Sequence, residues 1–126
     1  MLTEAIAMAT IPAENLARAV KFYKETLGLN QLDSPEGTAT FEAGSGSTIF
    51  MYERARTKAE HTAVTFLVKD VKATVKELTA KGVKFEQYDI PGIKTDEMGI
   101  ADMGDGNPIA WLTDPEGNIL AIATAE

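Results

Sequence analysis

The sequence predicts an α+β fold built from two copies of one strand-helix-three-strand unit. Two helix entries, Asn15-Leu16 and Asp70-Val71, stand 55 residues apart, each preceded by an apolar run and followed by apolar residues at helical spacing. Short apolar runs follow each helix and are separated by Gly, Ser and Pro clusters, the punctuation of antiparallel strands. A period this long with mixed content means a doubled supersecondary unit rather than a solenoid. With 126 residues, 44% apolar and 25% charged, the chain is sized for a single domain, 1–126, made of modules 1–56 and 60–126.

Taken in order, Ala5 to Ile11 is apolar throughout and bounded by Pro12, which predicts a strand buried on both faces. Asn15 is the N-cap of a helix whose inner face is Leu16, Ala19, Val20, Tyr23 and Leu27, with Gly28 as its C-cap. Leu29–Leu32, Thr38–Ala43 and Thr48–Glu53 read as strands, and polar Arg54–Glu60 as the connector. The pattern then restarts. His61–Val68 is a strand, Asp70 caps a helix that buries Val71, Val75 and Leu78, and Gly82 ends it. Val83–Tyr88 is predicted as the next strand, followed by an acidic loop, Asp89–Asn107, longer than most connections. The last two strands flank Asp114-Pro115-Glu116-Gly117-Asn118. There Asp114 opens the turn, Pro115 presets φ and Gly117 accepts a positive one.

The totals exclude several functions. No cysteine is present, so disulfides, thiolate metal sites and cysteine nucleophiles are ruled out. A net charge of −7 argues against nucleic acid and anionic membrane surfaces as partners. No apolar run approaches the ~20 residues of a membrane helix, and the N-terminus reads as no leader, so a cytoplasmic location is expected.

The doubled unit, the helix entry with Phe22-Tyr23 and Leu27-Gly28-Leu29, and Asp114-Pro115-Glu116-Gly117-Asn118 together resemble the vicinal oxygen chelate superfamily. That group includes glyoxalases, extradiol dioxygenases, fosfomycin-resistance enzymes and bleomycin-binding proteins. The resemblance covers nearly the whole chain. It implies two βαβββ modules forming facing half-barrels around a cleft, and a homodimer.

In the superfamily's enzymes the cleft holds a divalent metal on His or Glu from four strand positions. Carried over singly, the resemblance puts the first at Met8, eight residues before Leu16, and the second at Ala63, eight before Val71. The last falls on Ala121, and aligning Gly46 with Gly117 puts the remaining one at Phe50, or at Met51 with a one-residue slip. A thioether is a poor donor to such metals, and Ala and Phe have no lone pair to give. The expected cofactor is therefore none, with a divalent metal only if the site is displaced.

Other residues offer weaker chemistry. His61, the one histidine, is a candidate general base on the Ala63 face of its strand, although no orienting partner is evident beside it; a strand-end His in solvent is the plainer reading. Glu53 and Glu60 with His61 are candidates for a displaced metal, but such residues are more often solvated. Asp96, Glu97, Asp102 and Asp105 read as a solvated acidic loop, and Gly44-Ser45-Gly46-Ser47 as a turn rather than a phosphate cradle.

The leading expectation is a metal-free member that binds a small organic or aromatic molecule through Met8, Phe50, Tyr52, His61, Ala63, Thr65, Trp111 and Ala121. Met98 and Met103 are expected to join Trp111 in lining the cleft from the second half, and Ala63 and Ala121 to leave open volume. Losing the four ligand positions points away from catalysis. Two alternatives remain: a metal-dependent lyase or dioxygenase with a displaced site, and a dimeric scaffold whose cleft is filled.

Overall fold

Both halves of the chain wrap a four-stranded sheet around one helix. The computed structural model describes residues 2–104 and 106–125, so Asp105 lies outside the described residues. The chain divides into two units, Met1–Thr57 and Lys58–Glu126. Among the described residues no helix is long and apolar enough to cross a membrane.

The first unit comprises β1 (Ala9–Ala13), α1 (Leu16–Lys21), β2 (Asn30–Leu32), β3 (Thr38–Glu42) and β4 (Thr48–Glu53), with strand order β1-β4-β3-β2 and β1 parallel to β4. The Asn15 side chain accepts the Arg18 amide at 3.0 Å, as its N-cap role requires. After α1 the helix widens into one π-helical stretch, Phe22–Thr26, closed by Leu27 N–H donating to the Phe22 carbonyl at 3.0 Å. This widening keeps Tyr23 fully buried, stacked on Phe41 with centroids 5.5 Å apart. Ile11, Ala39, Phe41, Ile49 and Met51 form the sheet face beneath the helix. Each large apolar side chain buried there stabilises by about 1.5–3 kcal/mol.

The first strand differs from expectation. It starts at Ala9 rather than Ala5 and runs through Pro12. Residues 2–8 are exposed, Ile6 at 93%, so their apolar character is not that of a strand buried on both faces. Proline is tolerated inside β1 because the strand lies at the sheet edge, where a missing N–H interrupts no second ladder.

The second unit repeats the plan with β5 (Thr62–Val68), α2 (Val71–Ala80), a hairpin of β6 (Asp89–Ile90) and β7 (Ile93–Lys94), then β8 (Ile100–Asp102), β9 (Pro108–Thr113) and β10 (Ile119–Thr124). The sheet order is β5-β10-β9-β8, with β5 parallel to β10. Asp70 caps α2 by accepting from Ala73 N–H at 3.0 Å. Val71, Val75 and Leu78 are buried, as are Leu112, Leu120 and Ile122 of the sheet beside the helix.

Val83–Tyr88 does not form the predicted strand. It touches β9 through one bridge, Phe85 with Leu112, and Glu86 N–H donating to the Trp111 carbonyl at 2.8 Å. β8 takes the other end of the same β9 edge, from within the span read as loop. Gly99 makes this possible: at φ 88°, a Cβ there would lie 2.7 Å from the Phe85 Cβ.

In the terminal hairpin the Asp114 carboxylate accepts from Glu116 N–H (2.8 Å), Asn118 N–H (2.8 Å) and the Asn118 amide nitrogen (2.9 Å). Asp114, Glu116 and Asn118 are all buried, so this polar turn is part of the interior. Gly117 has the positive φ that the turn needs, 85°.

Candidate functional site

Strand alternation sorts each sheet into a helix face and a second face. On the second face of the first sheet, Phe50 pairs with Thr10 of β1 and with Thr40 of β3, while Tyr52 pairs with Pro12 and Thr38. Leu32 continues the Thr40 row. Phe50 and Tyr52 are half-buried and Thr10 is exposed, so this face presents an accessible aromatic strip. Met51 is fully buried on the helix face, so Phe50 occupies the second face. Met8 precedes β1 and is 50% exposed.

Hydroxyls missed in the sequence line the aromatic strip. Ser34 Oγ lies 2.6 Å from Thr38 Oγ1 and 3.0 Å from Thr40 Oγ1, and Thr38 Oγ1 donates to the Pro35 carbonyl at 2.6 Å. Their only signal in the sequence is spacing around Pro35-Glu36-Gly37, which returns the chain on itself. A cavity of about 400 Å³ adjoins them, with Lys24, Asn30 and Asp33 also in its wall.

The second sheet has the equivalent row filled by its own unit. Ala121 pairs with Thr65 and with Trp111, and Ala101, Trp111 and Ala121 form a buried cluster. Tyr88 and Ile93, from the segment around β6 and β7, pack on this cluster, Tyr88 edge-on to Trp111 with centroids 5.4 Å apart. Ala121 is 1% exposed, so the open volume expected above it is absent. Burial, aided by the Glu86 carboxylate, raises the Tyr88 phenol above its ordinary pKa. Met98 lines a cavity of about 530 Å³ at the start of α2, and Met103 is 48% exposed.

Of the remaining candidates, His61 is exposed and precedes β5. The register of β5 against β10 shifts between Ile119 and Leu120, pairing Thr62 and then Val64 and skipping Ala63. That bulge breaks the period-two count that put His61 and Ala63 on one face. Thr65, Glu53 and Glu60 are exposed. Asp96 accepts from Met98 and Ile100 N–H groups at 2.8 and 3.0 Å, and Asp102 from Gly104 N–H at 2.9 Å, which makes both turn-forming residues.

The architecture meets a family match at this point. Residues 5–122 match the model of the Glyoxalase/Bleomycin resistance protein/Dioxygenase superfamily. The chain belongs to that superfamily. No curated protein matches it in sequence. Among solved structures, the superfamily chain is similar to a bleomycin resistance determinant encoded on the transposon Tn5, with a TM-score of 0.73, 18% identity and 96% of this chain and 98% of that one covered. A bleomycin-binding protein complexed with bleomycin gives 0.70 at 17% identity, covering 96% and 98%. Lactoylglutathione lyase from Agrobacterium tumefaciens gives 0.69 at 20%, covering 99% and 96%. These are likenesses of fold.

The divalent metal of the superfamily's enzymes does not fit this donor set at the carried-over places. Met8, Phe50, Ala63 and Ala121 supply a thioether, a phenyl ring and two methyl groups. Among the described residues no three His, Asp or Glu side chains are grouped where they could hold a metal ion.

Proposed function

We propose that this superfamily member binds a small organic molecule with an aromatic part without using a metal, and that it does so on the second face of the first sheet. The observation carrying this reading is the accessible strip of Phe50 and Tyr52, bordered by Thr10, Thr38 and Thr40. Aromatic faces offer stacking area at little entropic cost, and flanking hydroxyls orient a ligand through hydrogen bonds. The corresponding row of the second sheet is covered within its own unit, where Tyr88 and Ile93 pack on the Ala101, Trp111 and Ala121 cluster. Bleomycin binding by a protein of the same fold supports the choice of an organic ligand. The homodimer implied by the resemblance belongs to the same proposal and is read by sedimentation.

A thermal-shift screen of aromatic compounds on chelator-stripped protein tests the reading. Hits that stabilise the wild type and lose their effect in Phe50→Ala support it. A screen whose hits act equally on Phe50→Ala and Tyr52→Ala overturns it.

A further inference from the structure

We infer that the polar end of the ligand is an organic ammonium or another N–H donor, taken up by a hydroxyl relay at Ser34, Thr38 and Thr40. This inference rests on the binding face proposed above and specifies the chemistry it accepts.

The proton positions follow by elimination. Thr38 has one hydroxyl hydrogen, and it goes to the Pro35 carbonyl at 2.6 Å. In the 2.6 Å contact between Ser34 and Thr38, Ser34 is then the donor. Its hydrogen spent, Ser34 accepts from Thr40 in the 3.0 Å contact. The order is Thr40 to Ser34 to Thr38 to Pro35, with every hydroxyl hydrogen turned inward. Each hydroxyl oxygen has two lone pairs, so among the described residues one on Thr38, one on Ser34 and both on Thr40 have no donor. The relay offers a ligand acceptors and no donors.

Its surroundings have the same bias. Glu42 follows Thr38 and Thr40 on the same face of β3, paired with Asn30 of β2. Asp33 lies in the wall of the adjoining cavity together with Ser34 and Thr38. Lys24 brings an opposing positive charge to that wall. Thr38 and Thr40 stand directly beside Tyr52 and Phe50, so a molecule with a ring on the aromatic strip carries its polar group to the relay. An ammonium is attracted by the lone pairs and by the Asp33 and Glu42 carboxylates, which repel a carboxylate, and Lys24 offsets part of both effects.

Three ring-matched probes test the inference by NMR titration at low salt: 2-phenylethylamine, 2-phenylethanol and phenylacetate. The amine is expected to bind most tightly and phenylacetate least, shifting the amides of Thr38, Thr40, Phe50 and Tyr52. Ser34→Ala combined with Thr38→Val should weaken the amine about tenfold, the scale of a hydrogen bond to a charged group, and the alcohol less. If that variant does not fold, Glu42→Gln is read instead, with about a threefold loss for the amine alone. Phenylacetate binding as well as the amine, or amine affinity unchanged in these variants, overturns the inference. In that event, equal weakening of all three probes by Phe50→Ala leaves the proposed aromatic face standing. No shift on β3 and β4 with any probe overturns both.

Discussion

Phe50 and Ala121 hold equivalent places in the two sheets, each on the strand that pairs in parallel with the unit's first strand and each beside a threonine, Thr10 or Thr65. The two threonines are 55 residues apart, the spacing of the helix caps. Equivalent places have opposite surroundings. Phe50 is half-buried beside hydroxyls, whereas Ala121 is closed in beneath Trp111, Tyr88 and Ile93.

Enlarging Ala121 therefore overpacks a closed cluster. Ala121→Leu is expected to destabilise by about 1–3 kcal/mol, while Phe50→Ala, at an accessible position, costs less than a core truncation. Urea unfolding of the two variants checks the order.

Tyr88 shields the chain's one tryptophan. Tyr88→Ala should move the Trp111 fluorescence maximum to longer wavelength and lower stability by about 2 kcal/mol, since a large half-buried side chain is removed. An unchanged emission spectrum contradicts the packing described.

The raised Tyr88 pKa gives a pH dependence of definite sign. Its cause is burial first and the Glu86 carboxylate second. The folded state holds the phenolic proton more tightly than the unfolded one, so this contribution is fully present below the unfolded pKa, about 10. It is lost as pH rises through the folded value. Melting temperatures at pH 8 and above pH 10 should fall further in the wild type than in Tyr88→Phe.

Asp114→Ala removes the acceptor of three buried hydrogen bonds. Leaving those donors unmet is expected to cost about 3 kcal/mol or more, read as a shift of the unfolding midpoint. Pro115→Ala, which keeps the carboxylate, should cost much less.

Local chemistry explains what was legible beforehand. The caps at Asn15 and Asp70, the inner helix faces, β4 and the last hairpin depend on neighbouring residues, and the structure shows them close to where spacing puts them. The misread segments depend on distant partners. Ala5–Met8 has an apolar pattern but no strand to pair with among the described residues, and Pro12 is acceptable only because β1 is an edge. Val83–Tyr88 gives up most of its strand because β8 takes part of the β9 edge. The cover of Tyr88 and Ile93 over Ala121 and the hydroxyl relay join residues whose contact no periodicity encodes.

The superfamily fold is retained here, and the binding we propose proceeds without the superfamily's metal. Calorimetric titration of chelator-stripped protein with Zn(II), Ni(II), Mn(II) and Fe(II) tests it most directly. No stoichiometric binding of any of the four is expected. Tight one-to-one binding that is abolished by His61→Ala or Glu53→Gln would contradict it.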